Sequence, residues 1–340
     1  MAPQNIQELD DSLSQPHPSV VELFRRRSGN VILLGAGGKM GPSMARMAKR
    51  AADEAGGERR VWAVSRFGDA SIAEGLESHG VEPISADLMD PTSWAGLPDA
   101  ELVVFMVGCK FGTADRPGRT WVSNTLVPGY ACQRYASSRI AAFSSGNVYP
   151  MVDANSGGCS EQTPIGPVGE YAMSVLGRER VFQHFAQENG TPISLIRLNY
   201  AVEMRYGILV DIAQQILQGE AVDRSTNWVN MIWQRDANAH SLLALDLADS
   251  PAVPINVTGP TIESVTDLAI AIGERLNRPV TFSGEPQQTA LLNDASQAFA
   301  RFYRPEMATA TLVDWTTEWL LADRPVWDRP THFQVRSGKF

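Results

Sequence analysis

The chain has 340 residues, 44% of them hydrophobic and 20% charged, with a formal net charge of −9 at pH 7. This composition predicts a globular protein of two domains, or one large α/β unit with a smaller attachment. The acidic excess argues against nucleic acid or an anionic membrane surface as the main partner. Three cysteines, Cys109, Cys132 and Cys159, match neither a disulfide framework nor a zinc motif, and they suit a reducing compartment.

Residues 1–28 are expected to form an N-terminal extension. The start of the chain is polar and acidic, and it lacks the basic beginning and apolar run of a signal peptide. No apolar stretch elsewhere in the sequence has the length needed to span a bilayer. We therefore expect a cytoplasmic protein.

Residues 29–200 alternate short apolar runs with segments of helical pattern. Runs of the length of a buried strand occur at 31–34, 61–64, 81–86, 102–107, 140–143 and 193–196. Buried strands separated by helices indicate parallel βαβ units with right-handed crossovers. The predicted fold class is therefore α/β, with a Rossmann-type doubly wound parallel sheet.

The alternation of apolar runs and helical segments changes after residue 200. Helical patterns at 208–217 and 264–276 flank a further apolar run at 254–257. We expect residues 201–325 to form mainly a smaller C-terminal α/β domain that binds the substrate, followed by a tail at 326–340. A segment near 231–257 is expected to return to the first domain.

A glycine-rich segment directly follows the first predicted strand and opens a helix. Gly35, Gly38 and Gly41 permit a tight turn, close approach of a pyrophosphate and close packing of the helix on the sheet. The helix N-terminus adds N–H groups and a favourable dipole for phosphates. With Lys39 and Met40 in the loop, the spacing is G-x-x-G-x-x-G rather than the commoner G-x-G-x-x-G. The context predicts a dinucleotide site.

The end of the second predicted strand bears on the choice between NAD and NADP. Ser65 and Arg66 stand where an acidic residue would bind the 2′-hydroxyl of NAD. Arg66, with Lys39 as a second cation, predicts a preference for the 2′-phosphate of NADP, with NAD as the alternative. Asp87 and Leu88 follow the third strand and are expected at the adenine, although an aspartate there is also a common helix cap.

Several more motifs follow in chain order. Asn124 lies before the fifth strand, Ser145 lies in segment 143–149 after it, and segment 197–200 follows the sixth. A spaced series of an acid, two prolines and a tyrosine is formed by Glu161, Pro164, Pro167 and Tyr171.

Together with the glycine spacing, these motifs resemble the extended short-chain dehydrogenase/reductases from about residue 30 to residue 319. This group includes nucleotide-sugar epimerases and dehydratases. The resemblance implies an NAD(P)-dependent enzyme in which Tyr171 exchanges a proton with the substrate oxygen during hydride transfer and also lies among the cofactor-binding residues. It further implies that Ser145 holds that oxygen and that Asn124 matches the family's asparagine.

One motif departs from the family pattern of Tyr-x-x-x-Lys, because Val175 replaces the lysine. A tyrosine of ordinary pKa, near 10, is a poor base at neutral pH, and a nearby ammonium would favour its phenolate. Three interpretations stay open. Lys110, after the fourth strand, supplies the charge; the positive nicotinamide of the cofactor suffices; or the protein is a catalytically degenerate NADP-binding sensor or regulatory protein. The retained Ser145, Tyr171 and Asn124 favour an enzyme.

The substrate is expected near Asn199, Arg205 and Tyr206, just after the sixth strand. Arg205 would pair with a phosphate or carboxylate, or else form an internal ion pair. We expect a sugar-like small molecule, no metal and possible homodimerisation. Epimerase, dehydrogenase, reductase and dehydratase remain alternatives.

Overall fold

The computed structural model describes residues 1–110, 115–327 and 329–339; Asp328 and Phe340 of the predicted tail lie outside these ranges. Its centre is a parallel sheet of seven strands. Strands β1 to β7 are Val31–Leu34, Val61–Ser65, Glu82–Ser85, Leu102–Phe105, Arg139–Phe143, Ile193–Leu198 and Val253–Val257. They lie in the order β7-β6-β5-β4-β1-β2-β3. This arrangement confirms the predicted α/β, doubly wound fold.

Helices cover both faces of the sheet. Helices α1 to α12 are Ile6–Leu13, Pro18–Arg26, Gly41–Ala55, Ala70–Glu77, Pro117–Trp121, Val127–Arg134, Gly169–Asn189, Ile208–Gln218, Gln234–Leu247, Val265–Leu276, Ser296–Arg301 and Thr309–Leu321. A π-helical turn, Val122–Leu126, joins α5 to α6. Alternate strand side chains serve opposite faces: Leu33 packs in the cluster that includes α3 and α9, whereas Leu34 packs in the cluster with α6 and α7.

A second hydrophobic core lies beyond residue 200, where α8, α10 and α12 pack together. Short ladders of two residues per strand accompany it. They pair Ala201–Val202 with Ile232–Trp233, Val222–Asp223 with Phe282–Ser283, Trp228–Val229 with Glu263–Ser264, and Val152–Asp153 with Thr289–Ala290. Helix α9 and strand β7 return the chain to the main sheet, where β7 pairs with β6.

The two ends of the chain are packed into the molecule. Residues 1–28, expected as an extension, form α1 and α2. Leu9 and Leu13 of α1 are fully buried in the second core, whereas Val20 and Phe24 of α2 join the core on one face of the sheet. In the tail, Phe333 is buried in the second core, so both ends contribute to the folded interior.

Candidate cofactor and catalytic site

A groove of about 560 Å³ opens at the carboxyl ends of β1, β2 and β4. The sheet reverses its winding between β1 and β4, and open α/β sheets bind ligands at such a point. Most of the residues predicted to bind the cofactor line this groove, namely Gly35, Gly38, Ser65, Arg66, Asp87 and Leu88.

The glycine loop has the shape that a pyrophosphate requires. Gly35 has φ +90°, and a Cβ atom there would lie 2.8 Å from the backbone nitrogen of Val107. A Cβ on Gly41 would collide with the carbonyl oxygen of Ala36. Helix α3 begins at Gly41 without a side-chain cap, so its first-turn N–H groups face the loop ready for an anion. These residues fit a dinucleotide.

The cations predicted to read the 2′-phosphate lie in different places. Arg66 is exposed on the groove wall. Lys39 turns the other way, with its Nζ atom 3.0 Å from the centre of the Tyr206 ring. Burial lowers the pKa of Lys39 to about 7, with the positive charges of Lys110 and Arg329 acting in the same direction.

Asp87 and Leu88 reach the groove from the segment after β3. The Oδ1 atom of Asp87 accepts a hydrogen bond from the backbone N–H of Met89 at 3.0 Å, which is a local turn contact. The Asp87 side chain is nevertheless exposed on the groove wall, and Leu88 is buried beside it.

A second pocket, of about 420 Å³, adjoins the groove and shares Gly35, Gly38 and Gly108 with it. The predicted catalytic and substrate residues that line it are Ser145, Tyr171, Lys110, Asn199 and Tyr206, together with Lys39 and Met40 of the glycine loop. The volume is typical of small-molecule sites. The cofactor groove and the catalytic pocket are thus continuous.

Ser145 and Tyr171 come together from different elements. Ser145 caps the 3₁₀ turn Gly146–Val148 after β5, and its hydroxyl donates to Oδ1 of Asn147 at 3.0 Å. Tyr171 lies in the first turn of α7. Burial raises the pKa of Tyr171 above its ordinary value, while the charge of Arg178 and a hydrogen bond with Ser145 act in the opposite direction. Both side chains line the second pocket, and their role in proton transfer stays a prediction.

Asn124 lies on the π-helical turn and is fully buried. Its Nδ2 group donates to Ser174 Oγ at 2.8 Å and to the carbonyl oxygen of Cys109 at 3.2 Å. Its Oδ1 atom accepts from the N–H of Cys109 at 3.0 Å and from Nη2 of Arg178 at 2.5 Å. The side chain therefore ties the loop after β4 to helix α7. Isolated π-helical turns are often found at functional sites.

Lys110 is on the pocket wall, where its Nζ atom donates to the carbonyl oxygen of Thr331 at 3.1 Å. Thr331 belongs to the tail, and its N–H donates to Asp211 Oδ2 at 2.8 Å. Burial lowers the pKa of Lys110 to about 8, and Asp211 opposes this effect. Whether Lys110 supplies the charge of the missing lysine stays a prediction.

The predicted substrate residues have different surroundings. Asn199 is buried, and its Nδ2 group donates to Asn230 Oδ1 at 2.8 Å. The guanidinium of Arg205 pairs with Glu203 and Asp10, both at 2.9 Å, and lines a neighbouring groove of about 940 Å³. These contacts favour the internal ion pair over substrate binding for Arg205.

Sequence reasoning missed several arginines of the site. Arg116 and Arg119 line the cofactor groove, and Arg329 of the tail lines both the groove and the catalytic pocket. Arg178 lies seven residues after Tyr171, on the same helical face, and this spacing was a signal in the sequence. For Arg329, no comparable spacing in the sequence predicts a place in the site.

Within the described ranges, no set of three or more His, Cys, Asp or Glu side chains could hold a metal ion. No helix in the same part of the chain combines the length and apolar character needed to cross a membrane.

A model of the NAD dependent epimerase/dehydratase family matches residues 31–253, more than half of the chain. The chain therefore belongs to this family, which confirms the resemblance inferred from the motifs. Its class is that of the NAD(P)-dependent, epimerase/dehydratase-type oxidoreductases with a Rossmann fold.

Solved structures share the fold at low sequence identity. The UDP-Glc/GlcNAc 4-epimerase of Campylobacter jejuni is 16% identical, with a TM-score of 0.71 over 87% of this chain and 100% of its own. The UDP-glucuronic acid 4-epimerase of Bacillus cereus in complex with NAD is 14% identical, with a TM-score of 0.72 over 86% and 99%. The dTDP-glucose 4,6-dehydratase of Bacillus anthracis in complex with NAD is 12% identical, with a TM-score of 0.72 over 86% and 97%. No curated protein matches the chain.

Proposed function

We propose that the protein is an NAD(P)-dependent oxidoreductase or epimerase that acts on a hydroxyl or carbonyl group of a sugar-like substrate. The observation that carries this proposal is that Tyr171 and Ser145 line one pocket, which is continuous with the glycine-loop groove. Bound nicotinamide would accept or return a hydride. Tyr171 would remove or donate the proton at the substrate oxygen, and Ser145 would hold that oxygen by a hydrogen bond.

The proposed cofactor is NADP, with NAD as the alternative. Exposed Arg66 on the groove wall supports NADP, because a guanidinium can bind a phosphate bidentately. Arg116 and Arg119 add positive charge to the same groove. The complexes of the Bacillus relatives hold NAD, which supports the alternative.

The substrate class rests on the pocket and on the relatives. The pocket combines the hydroxyls of Tyr171 and Ser145 with the amide of Asn147 and the cations Lys39 and Lys110. Hydroxyl and amide groups match the oxygens of a sugar, and the cations match a carboxylate or phosphate attached to it. The named relatives act on nucleotide sugars or nucleotide-linked sugar acids. We therefore propose an acidic or nucleotide-linked sugar.

A second candidate function is a degenerate NADP-binding sensor. Val175 at the lysine position and the burial that raises the pKa of Tyr171 favour it. The geometry of Ser145 and Tyr171 favours an enzyme over a sensor.

The test is turnover of a panel of sugars, sugar acids and nucleotide sugars with NADP(H) or NAD(H), monitored by nicotinamide absorbance and by chromatography for epimers. Tyr171→Phe should reduce turnover by about a thousandfold, at the level expected for loss of an acid/base group, and leave cofactor binding unchanged. Tyr130→Phe is the matched control, because it removes the hydroxyl of another tyrosine, whose ring packs near Trp94. Unchanged turnover in Tyr171→Phe contradicts the mechanism. Cofactor binding with no turnover of any substrate supports the sensor.

We also propose a homodimer formed through the group of helices that contains α5, α6 and α7. Three apolar side chains on these packed helices and the π-helical turn are exposed: Val122, Leu126 and Met173, at 41%, 46% and 47%. Their position on helices that pack together supports an interface on this side of the molecule.

A further inference from the structure

Helix α7 presents Tyr171, Val175 and Arg178 on one face, at positions i, i+4 and i+7. Val175 is fully buried and packs in an apolar cluster with Val148 and Cys159. The position four residues after the tyrosine is therefore part of the core. The next residue on the same face is a cation.

The side chains of Arg178 and Tyr171 line the same pocket. Seven residues of helix rise about 10.5 Å, and a long helical side chain leans toward the N-terminus, so the side chain of Arg178 spans part of this distance. Two hydrogen bonds fix the group. Nη1 donates to the carbonyl oxygen of Phe143 at 2.8 Å, and Nη2 donates to Asn124 Oδ1 at 2.5 Å. Arg178 is only 5% exposed, so its charge is poorly screened.

The loop after β4 is shaped around this guanidinium. A Cβ on Gly108 would lie 2.5 Å from Nη2 of Arg178, so glycine leaves the space that the charge occupies. Gly108, Tyr171 and Arg178 all line the catalytic pocket. Burial lowers the pKa of Arg178 to about 10, which leaves it a cation at neutral pH, and the phenol of Tyr171 and the carboxylate of Glu179 oppose the shift.

We propose that Arg178 supplies the positive charge that favours the phenolate of Tyr171, replacing the absent lysine, and that Asn124 holds the guanidinium in place. Arg178 is a positioning residue that acts through Tyr171. Its catalytic consequence rests on the proposed function, whereas its effect on the phenol is a property of the folded chain alone.

Other titratable groups also face Tyr171 or share its pocket. Cys109 disfavours the phenolate, Tyr206 interacts with the phenol, and Lys39 and Lys110 lie on the same pocket wall. The test must therefore separate Arg178 from the lysines, and Lys110→Met serves this purpose.

The experiment is ¹⁹F NMR titration of the full chain carrying 3-fluorotyrosine, whose phenol is more acidic than that of tyrosine. The Tyr171 resonance is assigned by its loss in Tyr171→Phe. Arg178→Met and Arg178→Gln should each raise the measured pKa of this phenol by about one unit or more, because the stabilising charge is gone. Arg178→Lys should recover part of the shift. Arg180→Met, on the exposed side of the same helix, should leave it unchanged.

An unchanged Tyr171 titration in both neutral Arg178 variants overturns the proposal, as does a shift produced by Lys110→Met but not by Arg178→Met. Where turnover is found, the pH profile of the oxidative direction should move upward with the NMR value in the neutral variants and be partly restored in Arg178→Lys. Absence of turnover in the parent protein contradicts the proposed function, while the titration still decides the role of Arg178.

Discussion

Disruption of the ion pair between Arg197 and Glu179 is the change for which we predict the largest effect on the free energy of unfolding. Its side chains are 3% and 0% exposed. Nε and Nη2 of Arg197 donate to the two carboxylate oxygens at 2.9 and 2.8 Å, and the Ser144 hydroxyl donates to the same carboxylate at 2.6 Å. Burial alone would lower the pKa of Arg197, but hydrogen bonds and the charge of Glu179 outweigh it and raise the value. Through Ser144, the pair is joined to the segment that carries Ser145.

Removing one partner leaves a buried charge without its counterpart. Arg197→Met leaves Glu179 with the hydroxyl of Ser144, and Glu179→Met leaves Arg197 with the hydroxyl of Tyr149 at 2.7 Å. Each single change should lower the free energy of unfolding by about 3–5 kcal/mol. The double change to methionine removes both charges and should cost only about 1–3 kcal/mol, mainly for the hydroxyl groups that lose partners. The coupling energy, which is the sum of the two single effects minus the double effect, should thus be about 6 kcal/mol.

Guanidinium-induced unfolding followed by tryptophan fluorescence measures the free energy of unfolding of the parent protein, the two single variants and the double variant. Arg275→Met is the matched control, because Arg275 and Asp314 form an ion pair whose side chains are 33% and 50% exposed. The control should change the free energy of unfolding by about 1 kcal/mol or less. Additive single effects, or single effects as small as the control, would refute the reasoning.

Three further predictions concern cofactor, substrate and assembly. If Arg66 binds the 2′-phosphate, NADPH should bind about tenfold more tightly than NADH, and Arg66→Asp should reverse the order; calorimetry showing equal affinities in the parent protein contradicts this. Because the pKa of Lys39 is lowered to about 7, the group is cationic below that pH and neutral above it, and a carboxylate or phosphate bound in the catalytic pocket would restore its charge. Binding of an acidic sugar at pH 8 should therefore take up a proton, seen as a buffer-dependent heat that Lys39→Met abolishes, whereas equal heats in different buffers exclude the coupling. Sedimentation velocity should show a parent dimer and a monomer for Leu126→Lys/Met173→Lys; a monomeric parent, or a variant that remains dimeric, removes the proposed interface.

The central sheet was predictable because most of its strands are uninterrupted apolar runs, buried on both faces. The glycine loop was predictable because its function depends on neighbours in sequence. The ends of the strands were less predictable. Residues 102–107 are all apolar, yet β4 stops at Phe105, and Met106 and Val107 line the groove instead. An apolar run in the sequence indicates burial, but it does not show whether a residue belongs to a strand or to the wall of a groove.

Contacts between segments that are far apart in the chain were not predictable from the sequence. Arg205 was expected near the substrate, but its guanidinium pairs with Asp10 on α1, close to the start of the chain. The tail also closes on the pocket through Thr331 and Arg329, which no local pattern predicts. Arg178 was predictable from helical geometry, because it lies on the same helical face as Tyr171, but the Tyr-x-x-x-Lys motif concerns only the position of Val175.

The arginines of the groove have a consequence for the kinetics of ligand capture. The molecule carries a net charge of −9, so an anionic dinucleotide is repelled at long range. Within roughly 8–10 Å, the Debye length at physiological ionic strength, the local field of Arg66, Arg116, Arg119 and Arg329 attracts it instead. Added salt screens the repulsion and the attraction together. The association rate should then change little with ionic strength, while the dissociation rate rises, because salt weakens the ion pairs that hold the dinucleotide inside the groove.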